Sequence, residues 1–237
     1  MSEQQKPLEY TPENIDTGTP LLIKEEWKAH LAEQIEKGNK HCGVISIDLG
    51  NFKGVNDIYG HEYGDHVLEV TESVLAKTVR QNNEESEEQR AKDVFAHERL
   101  ISSDAASRYG GDEYVVFCDL NSLKEEEVDT EGIDDQERLG IIIDRIRAEF
   151  DEVIAKDERL QKVGFSVSIG GAVYEPGMNA TDMLQEADEK MMLDKDKHRE
   201  ALWGNLTLEE KAALINPAVR LGLEKLGIRP PIIPKGF

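Results

Sequence analysis

Cysteine is nearly absent: Cys42 and Cys118 are the only two in 237 residues. Two thiols that far apart make neither a disulfide framework nor a zinc-ligand spacing. A reducing cytoplasm is the expected setting. Long hydrophobic runs are missing too, and none approaches the roughly 20 residues a membrane-spanning helix needs. Met1 to Lys6 has no apolar stretch behind it, so no secretory signal is expected. Cationic residues are scarce: Lys plus Arg is 28 against 49 Asp plus Glu, a formal net charge of -21. That balance excludes a general binder of DNA or RNA backbones, which needs a positive field. It equally excludes attachment to anionic membrane surfaces. Any phosphate chemistry must be local, carried by metal ions and a few placed Lys and Arg. What remains, a 38% hydrophobic share, suits one core, and the length suits one domain with attachments or two small ones.

Residues 1–23 are polar and rich in turn formers (Pro7, Pro12, Gly18, Pro20) and read as an arm. Trp27, Leu31 and Ile35 recur every four residues, a helical stripe over 25–36 closed by Gly38. Gly43 to Leu49 is a short apolar run holding Asp48 at its end, which predicts a buried strand that delivers a carboxylate. Apolar positions from Val67 to Val79 predict a helix, and the acid-rich stretch 81–90 a solvated insertion. Apolar runs on both sides of Gly110-Gly111 predict a β-hairpin, with both glycines free to take positive φ. Residues 124–137, with eight acids and one Lys, read as a second acidic loop. A long amphipathic helix is predicted over 139–154, a strand over 163–170 and a helix over 181–197. Residues 206–226 predict a further amphipathic helix, and Pro230, Pro231 and Pro234 forbid its continuation. The resulting order of helix, strand, helices, hairpin, helix, strand, helix matches a split βαβ pattern. The expected fold class is α/β of the α+β kind, a mostly antiparallel sheet covered by helices.

Three features carry chemistry. Asp48 at a strand end and Asp112 and Glu113 at a hairpin tip face each other if strand and hairpin are sheet neighbours. Their repulsion is relieved by a hard divalent cation, which prefers oxygen ligands and neutralises phosphate charge. From Asn51 to Asp65 the chain is rich in Asn, Asp and Gly, with side chains suited to the guanine edge and Gly60 and Gly64 available for tight turns around a base. Lys195 and Arg199 are four apart, on one helix face, and suit a clamp for terminal phosphates.

Together these residues resemble a family. Arg108-Tyr109-Gly110-Gly111-Asp112-Glu113-Tyr114 is similar to the GGDEF signature of diguanylate cyclases, with Tyr for the final Phe. The stretch 48–65 resembles that family's D-x-D-x-F-K-x-x-N-D-x-x-G-H-x-x-G-D segment, Ser166 to Gly170 its late strand, and Ala187-Asp188-Glu189 with Lys195 and Arg199 its last helix. The resemblance covers about residues 25–200, leaving 1–24 as an N-terminal arm and 201–237 as a C-terminal helix and Pro-rich tail.

The resemblance implies a palm-like nucleotide-cyclase fold. It also implies condensation of two GTP, one on each of two facing copies of the domain, into cyclic di-GMP and pyrophosphate. Asp48, the Leu49 carbonyl and Asp112 would hold Mg²⁺ or Mn²⁺. Glu113 would complete the metal site and assist deprotonation of the attacking 3′-hydroxyl. Backbone amides near Asn51 and Phe52, with Lys53, Lys195 and Arg199, would hold the triphosphate. Asn56 and Asp65 would read guanine, and His61 would lie along the nucleoside. The implied partners are therefore GTP and a second copy of the chain, with no nucleic acid and no membrane. The tail would pack on the domain or dock a regulatory partner. Three positions depart from the pattern. Gly50 replaces the second acid of D-x-D, Ile101 stands where the feedback site's Arg belongs before Asp104, and residues 16–24 match the usual opening poorly. The alternative reading is a module that binds GTP or cyclic di-GMP with little turnover; a third is a related cyclase with another product.

Overall fold

A computed structural model describes residues 21, 24–81, 105–121 and 132–205. The proposed C-terminal helix at 206–226 and Pro-rich tail, most of the arm, the acidic insertion, and Ile101 and Asp104 lie outside the described residues. Strands β1 (Cys42–Gly50), β2 (Ala105–Arg108), β3 (Glu113–Asp119) and β4 (Ser166–Val173) form one sheet in the order β2-β3-β1-β4. Every neighbouring pair is antiparallel, as the split βαβ pattern implies. The helices are α1 (Lys24–Glu36), α2 (Phe52–Tyr59), α3 (His61–Gln81), α4 (Asp135–Lys156), α5 (Glu158–Val163) and α6 (Ala180–Asn205). No helix among the described residues is long and apolar enough to cross a membrane.

The central strand β1 is buried from Cys42 to Leu49, and successive side chains point to opposite faces. Ile45, Ile47 and Leu49 join a core with α2 to α5, which supply Val55, Leu75, Leu139, Ile146 and Leu160. Cys42 and Val44 join a second core with Trp27 and Leu31 of α1 and Met183 and Ala187 of α6. Helix α1 is pinned to the sheet by Trp27, whose indole Nε1 donates to the Ala105 carbonyl at 3.0 Å. The two cysteines are buried in different cores, and burial first, then the nearby Asp119 and Asp135, pushes the Cys42 thiol up to about 12. Neither thiol is therefore poised to react.

Several expectations need correction. Leu21, placed in the arm by its neighbours, is buried in the core. The strand expected over 163–170 begins three residues later. Leu160 and Val163 are a helical i, i+3 pair on α5, and Gly164, at φ 65, ends that helix in a left-handed cap before β4 starts. The end of the second acidic loop is helix. Asp134 caps α4, accepting from the Glu137 amide at 2.9 Å while Glu137 accepts from the Asp134 amide at 3.0 Å. At the signature, neither Gly110 nor Gly111 takes a positive φ. Space is what matters at Gly110, where a Cβ would lie 2.8 Å from Glu113 Oε2. Gly60, at φ 85, does turn the chain between α2 and α3, but Gly64 lies inside α3.

Packing of α1 carries a pH dependence. His30 is 1% exposed and meets the Phe117 ring edge-on, 5.2 Å between centroids. Burial pulls its pKa from 6.5 to about 4. Between those values the unfolded chain binds the proton better, so stability is full above about 6.5 and is lost as pH falls toward 4. At pH 5 the loss is on the order of 2 kcal/mol. Urea unfolding at pH 7 and pH 5 checks this: His30→Phe loses less stability than wild type over that interval, and an equal loss in both removes His30 as the source.

Candidate active site

The strand register sets the site. Asp48 lies directly opposite Glu113 of β3 and Ser168 of β4, so the three share the sheet face covered by α1 and α6. The Leu49 amide donates to the Asp112 carbonyl at 3.0 Å, which draws the hairpin tip against the end of β1. The hairpin is closed by the Tyr109 and Gly110 amides, both donating to the Glu113 carbonyl, at 2.7 and 3.1 Å. Arg108 stiffens it by donating from Nη2 to the Gly111 carbonyl at 2.6 Å.

Helix α6 crosses this face at close range. A Cβ at Gly170 would overlap the Met191 amide and the Ala187 carbonyl, so only glycine lets the helix backbone approach β4. Arg147 of α4 and the Ile169 amide both donate to Asp194, each at 3.0 Å, which fixes the helix along its axis. Two side chains of α6 then meet the row of strand residues. Lys195 Nζ lies 2.7 Å from Asp48 Oδ1 and donates to Oδ2 at 2.8 Å. His198 Nδ1 lies 3.2 Å from the Ser168 hydroxyl.

The electrostatics are lopsided. Asp48 is 7% exposed at its side chain, and Lys195 is the cation paired with it. Burial first, and then the Asp48 carboxylate, pushes Asp112 above the ordinary carboxylate range. Glu113 is raised by burial, then by Asp112, Asp48 and Asp188, with Lys195 opposing. Asp188, on α6 two turns before Lys195, was not singled out as a site residue from the sequence. Its seven-residue spacing from Lys195, which places both on one helix face, was the available signal. Among the described residues no three His, Cys, Asp or Glu side chains converge closely enough to hold a metal ion by themselves. Two carboxylates and a backbone carbonyl nevertheless fit Mg²⁺, which is usually held by one or two carboxylates together with substrate phosphates. The fit is one of donor chemistry: all oxygen, with more negative charge than Lys195 balances.

The other expected residues divide by exposure. Phe52 is buried in the core, so only its backbone can serve a ligand. The Leu49 side chain is likewise buried, leaving its carbonyl. Lys53, His61 and Asp65 are exposed, and Asn56 is half-buried. Asn51 stands between β1 and α2 at φ 60. Asn56 and Asp65 belong to different helices, and the Asn56 side chain packs over Gly64, the chain neighbour of Asp65, where a Cβ would collide with Asn56 Oδ1. Arg199 pairs with Asp196 at 3.1 Å on its own helix.

Known proteins share this arrangement of sequence and fold. A family model described as "Diguanylate cyclase, GGDEF domain" matches residues 13–86. The chain is 26% identical over 194 residues to the diguanylate cyclase DosC of Escherichia coli (strain K12), covering 80% of this chain and 35% of DosC. It is 24% identical over 188 residues to the diguanylate cyclase DgcS of Shewanella oneidensis, covering 78% of this chain and 50% of DgcS. It thus spans a third to a half of the length of these relatives. Among solved structures, the GGDEF domain of DgcB from Caulobacter crescentus in complex with c-di-GMP matches with a TM-score of 0.56. That match has 19% identity and covers 79% of this chain and 93% of that one, a likeness of fold. Motif, alignment and sheet order agree in likening the chain to GGDEF-domain proteins.

Proposed function

We propose that this protein is a diguanylate cyclase that condenses two GTP into cyclic di-GMP and two pyrophosphates. The observation that carries the reading is the register of Asp48 opposite Glu113, with the Asp112 carbonyl tied to Leu49. That pairing sets Asp48 beside Glu113 at one sheet end, with Lys195 of α6 on Asp48, and supports the reading. Each bond-forming step joins a ribose 3′-oxygen of one GTP to the α-phosphorus of the other and breaks the bond from that phosphorus to pyrophosphate. The hydroxyl proton passes to a base, and Glu113 is the candidate because its raised pKa makes it a better proton acceptor than an ordinary carboxylate.

Asp48, Asp112, Glu113 and the Leu49 carbonyl would hold a divalent cation. When bound, Mg²⁺ or Mn²⁺ supplies positive charge to the phosphate oxygens and the leaving pyrophosphate. Lys195 and Arg199, with Lys53 and the amides near Asn51 and Phe52, would take the triphosphate. Asn56 and Asp65 would read guanine, with His61 along the nucleoside. One domain holds one GTP in this scheme, so two copies must meet.

The test is incubation of the protein with GTP and Mg²⁺, with pyrophosphate and the nucleotide product measured over a dilution series. Cyclic di-GMP and a rate that rises more steeply than linearly with protein concentration are expected. Tight GTP binding with no pyrophosphate would replace this reading with that of a nucleotide-binding module.

A further inference from the structure

Asn56 and Asp65 sit on the corner where α2 meets α3. Gly60 joins the helices, the Asn56 side chain lies over Gly64, and the Tyr59 and Tyr63 rings meet edge-on with centroids 5.4 Å apart. A second set of contacts reaches the corner from far along the chain. The short helix α5 is tied to both ends of the 51–63 segment. At its start the Tyr63 hydroxyl donates to Asp157 Oδ2 at 2.6 Å. The Arg159 guanidinium covers the Tyr63 ring at 3.7 Å from its centroid and donates to both Asp157 oxygens, at 3.3 and 3.2 Å. At its end the Val163 carbonyl accepts from Asn51 Nδ2. Asn51 is the one non-glycine residue with left-handed backbone among the described residues, a conformation that persists only where the surroundings hold it.

We infer that α5 is a brace for this corner, and that Tyr63, Asp157 and Arg159 are positioning residues that set the separation of Asn56 and Asp65 and so the preference for guanine over adenine. The inference rests on the reading that this corner meets the base. Hydrogen bonds to a base edge weaken steeply with misalignment. Tyr63 precedes Gly64 and Asp65 directly, so freeing its ring frees the helix turn that carries both. Of the triphosphate groups, Lys195 and Arg199 lie on α6, outside these contacts, while Asn51, Phe52 and Lys53 lie at the end of the segment held by the Asn51–Val163 bond, which loosening Tyr63 and Asp157 leaves in place. Loosening the brace should therefore weaken base recognition more than phosphate recognition. The strength of the anchor agrees with the charge state of Asp157. Burial works to raise it, but the hydrogen bonds from Arg159 and Tyr63 outweigh burial and hold its pKa at about 2.

Two variants separate positioning from folding. Tyr63→Phe removes the hydroxyl alone and keeps the ring under Arg159. Asp157→Asn keeps a side chain able to cap α5 and removes the charge that Arg159 grips. Affinities of the full chain for the α,β-methylene analogues of GTP and ATP, which cannot condense, give the first readout. The GTP-to-ATP affinity ratio should fall about fivefold, the worth of one hydrogen bond, with ATP affinity nearly unchanged. Amide exchange across residues 52–66 without nucleotide gives the second and should be about fivefold faster than in wild type, by the same reckoning. A wild type that prefers neither analogue, with faster exchange in both variants, sinks the base reading and leaves the brace standing as a structural device. Unchanged exchange in both variants, or equal losses for both analogues, overturns the brace even where wild type prefers GTP.

Discussion

Glu113→Gln will end condensation of GTP while leaving the nucleotide bound. The amide has nearly the shape of the carboxylate it replaces and cannot take the 3′-hydroxyl proton. General-base removal of this kind costs roughly 10²–10⁴-fold in rate, so a fall of at least about 10²-fold in pyrophosphate release is expected. Binding is expected to hold because Glu113 is one of three carboxylates crowded at the sheet end, and deleting its charge lowers the field a triphosphate meets. Folding should not suffer either. The pKa of Glu113 is raised by burial and then by Asp112, Asp48 and Asp188, so its ionised form weakens the native state above that pKa, and the penalty vanishes below the ordinary carboxylate range. The variant should therefore melt at or above the wild-type temperature at neutral pH. Turnover within tenfold of wild type, with normal GTP affinity, would take Glu113 out of the proton transfer.

The second large effect falls on Lys195→Met. Lys195 is the cation paired with Asp48, whose carboxylate is only 7% exposed. Removing it leaves a buried carboxylate beside Asp112 and Glu113 with no paired cation, and breaking a buried pair from one side is strongly destabilising. Because the ammonium is itself 27% exposed, solvent recovers part of the cost. A loss of about 2 kcal/mol is expected, or a melting temperature lower by ~6 °C. Millimolar Mg²⁺ without nucleotide should then raise the melting temperature of the variant more than that of wild type, since a divalent cation can replace the missing charge. If Mg²⁺ moves neither protein, the carboxylates do not form a cation site.

Local signals located most of the elements, and their failures share a cause. Trp27, Leu31 and Ile35 announce α1, and Gly43 to Leu49 announces β1, because each buries one stripe or run that its own neighbours reveal. Val163 reads as the start of a strand because Val163, Phe165 and Val167 alternate. Gly164 breaks that alternation through its left-handed cap, an effect of backbone conformation rather than of hydrophobic pattern. At the site, the residue types at 48, 112, 113 and 195 were visible in the chain. The contacts that order them were not. The approach of α6 at Gly170, the Asp194 bonds to Arg147 and Ile169, and the tie from Tyr63 to Asp157 all join positions that only the folded sheet brings together. Gly64 shows the same limit: its composition suggested a turn, and its function is to make room for Asn56.

A sheet has two open margins, and here they are unequal. Strand β4 is the outer strand on one side, yet α6 lies against Gly170 and Asp194 takes the Ile169 amide. A foreign strand arriving there finds that donor already spoken for and a helix in its path. The opposite margin is β2, four residues long. The same helix that brings Lys195 to Asp48 thus also occupies a strand-pairing donor on that margin.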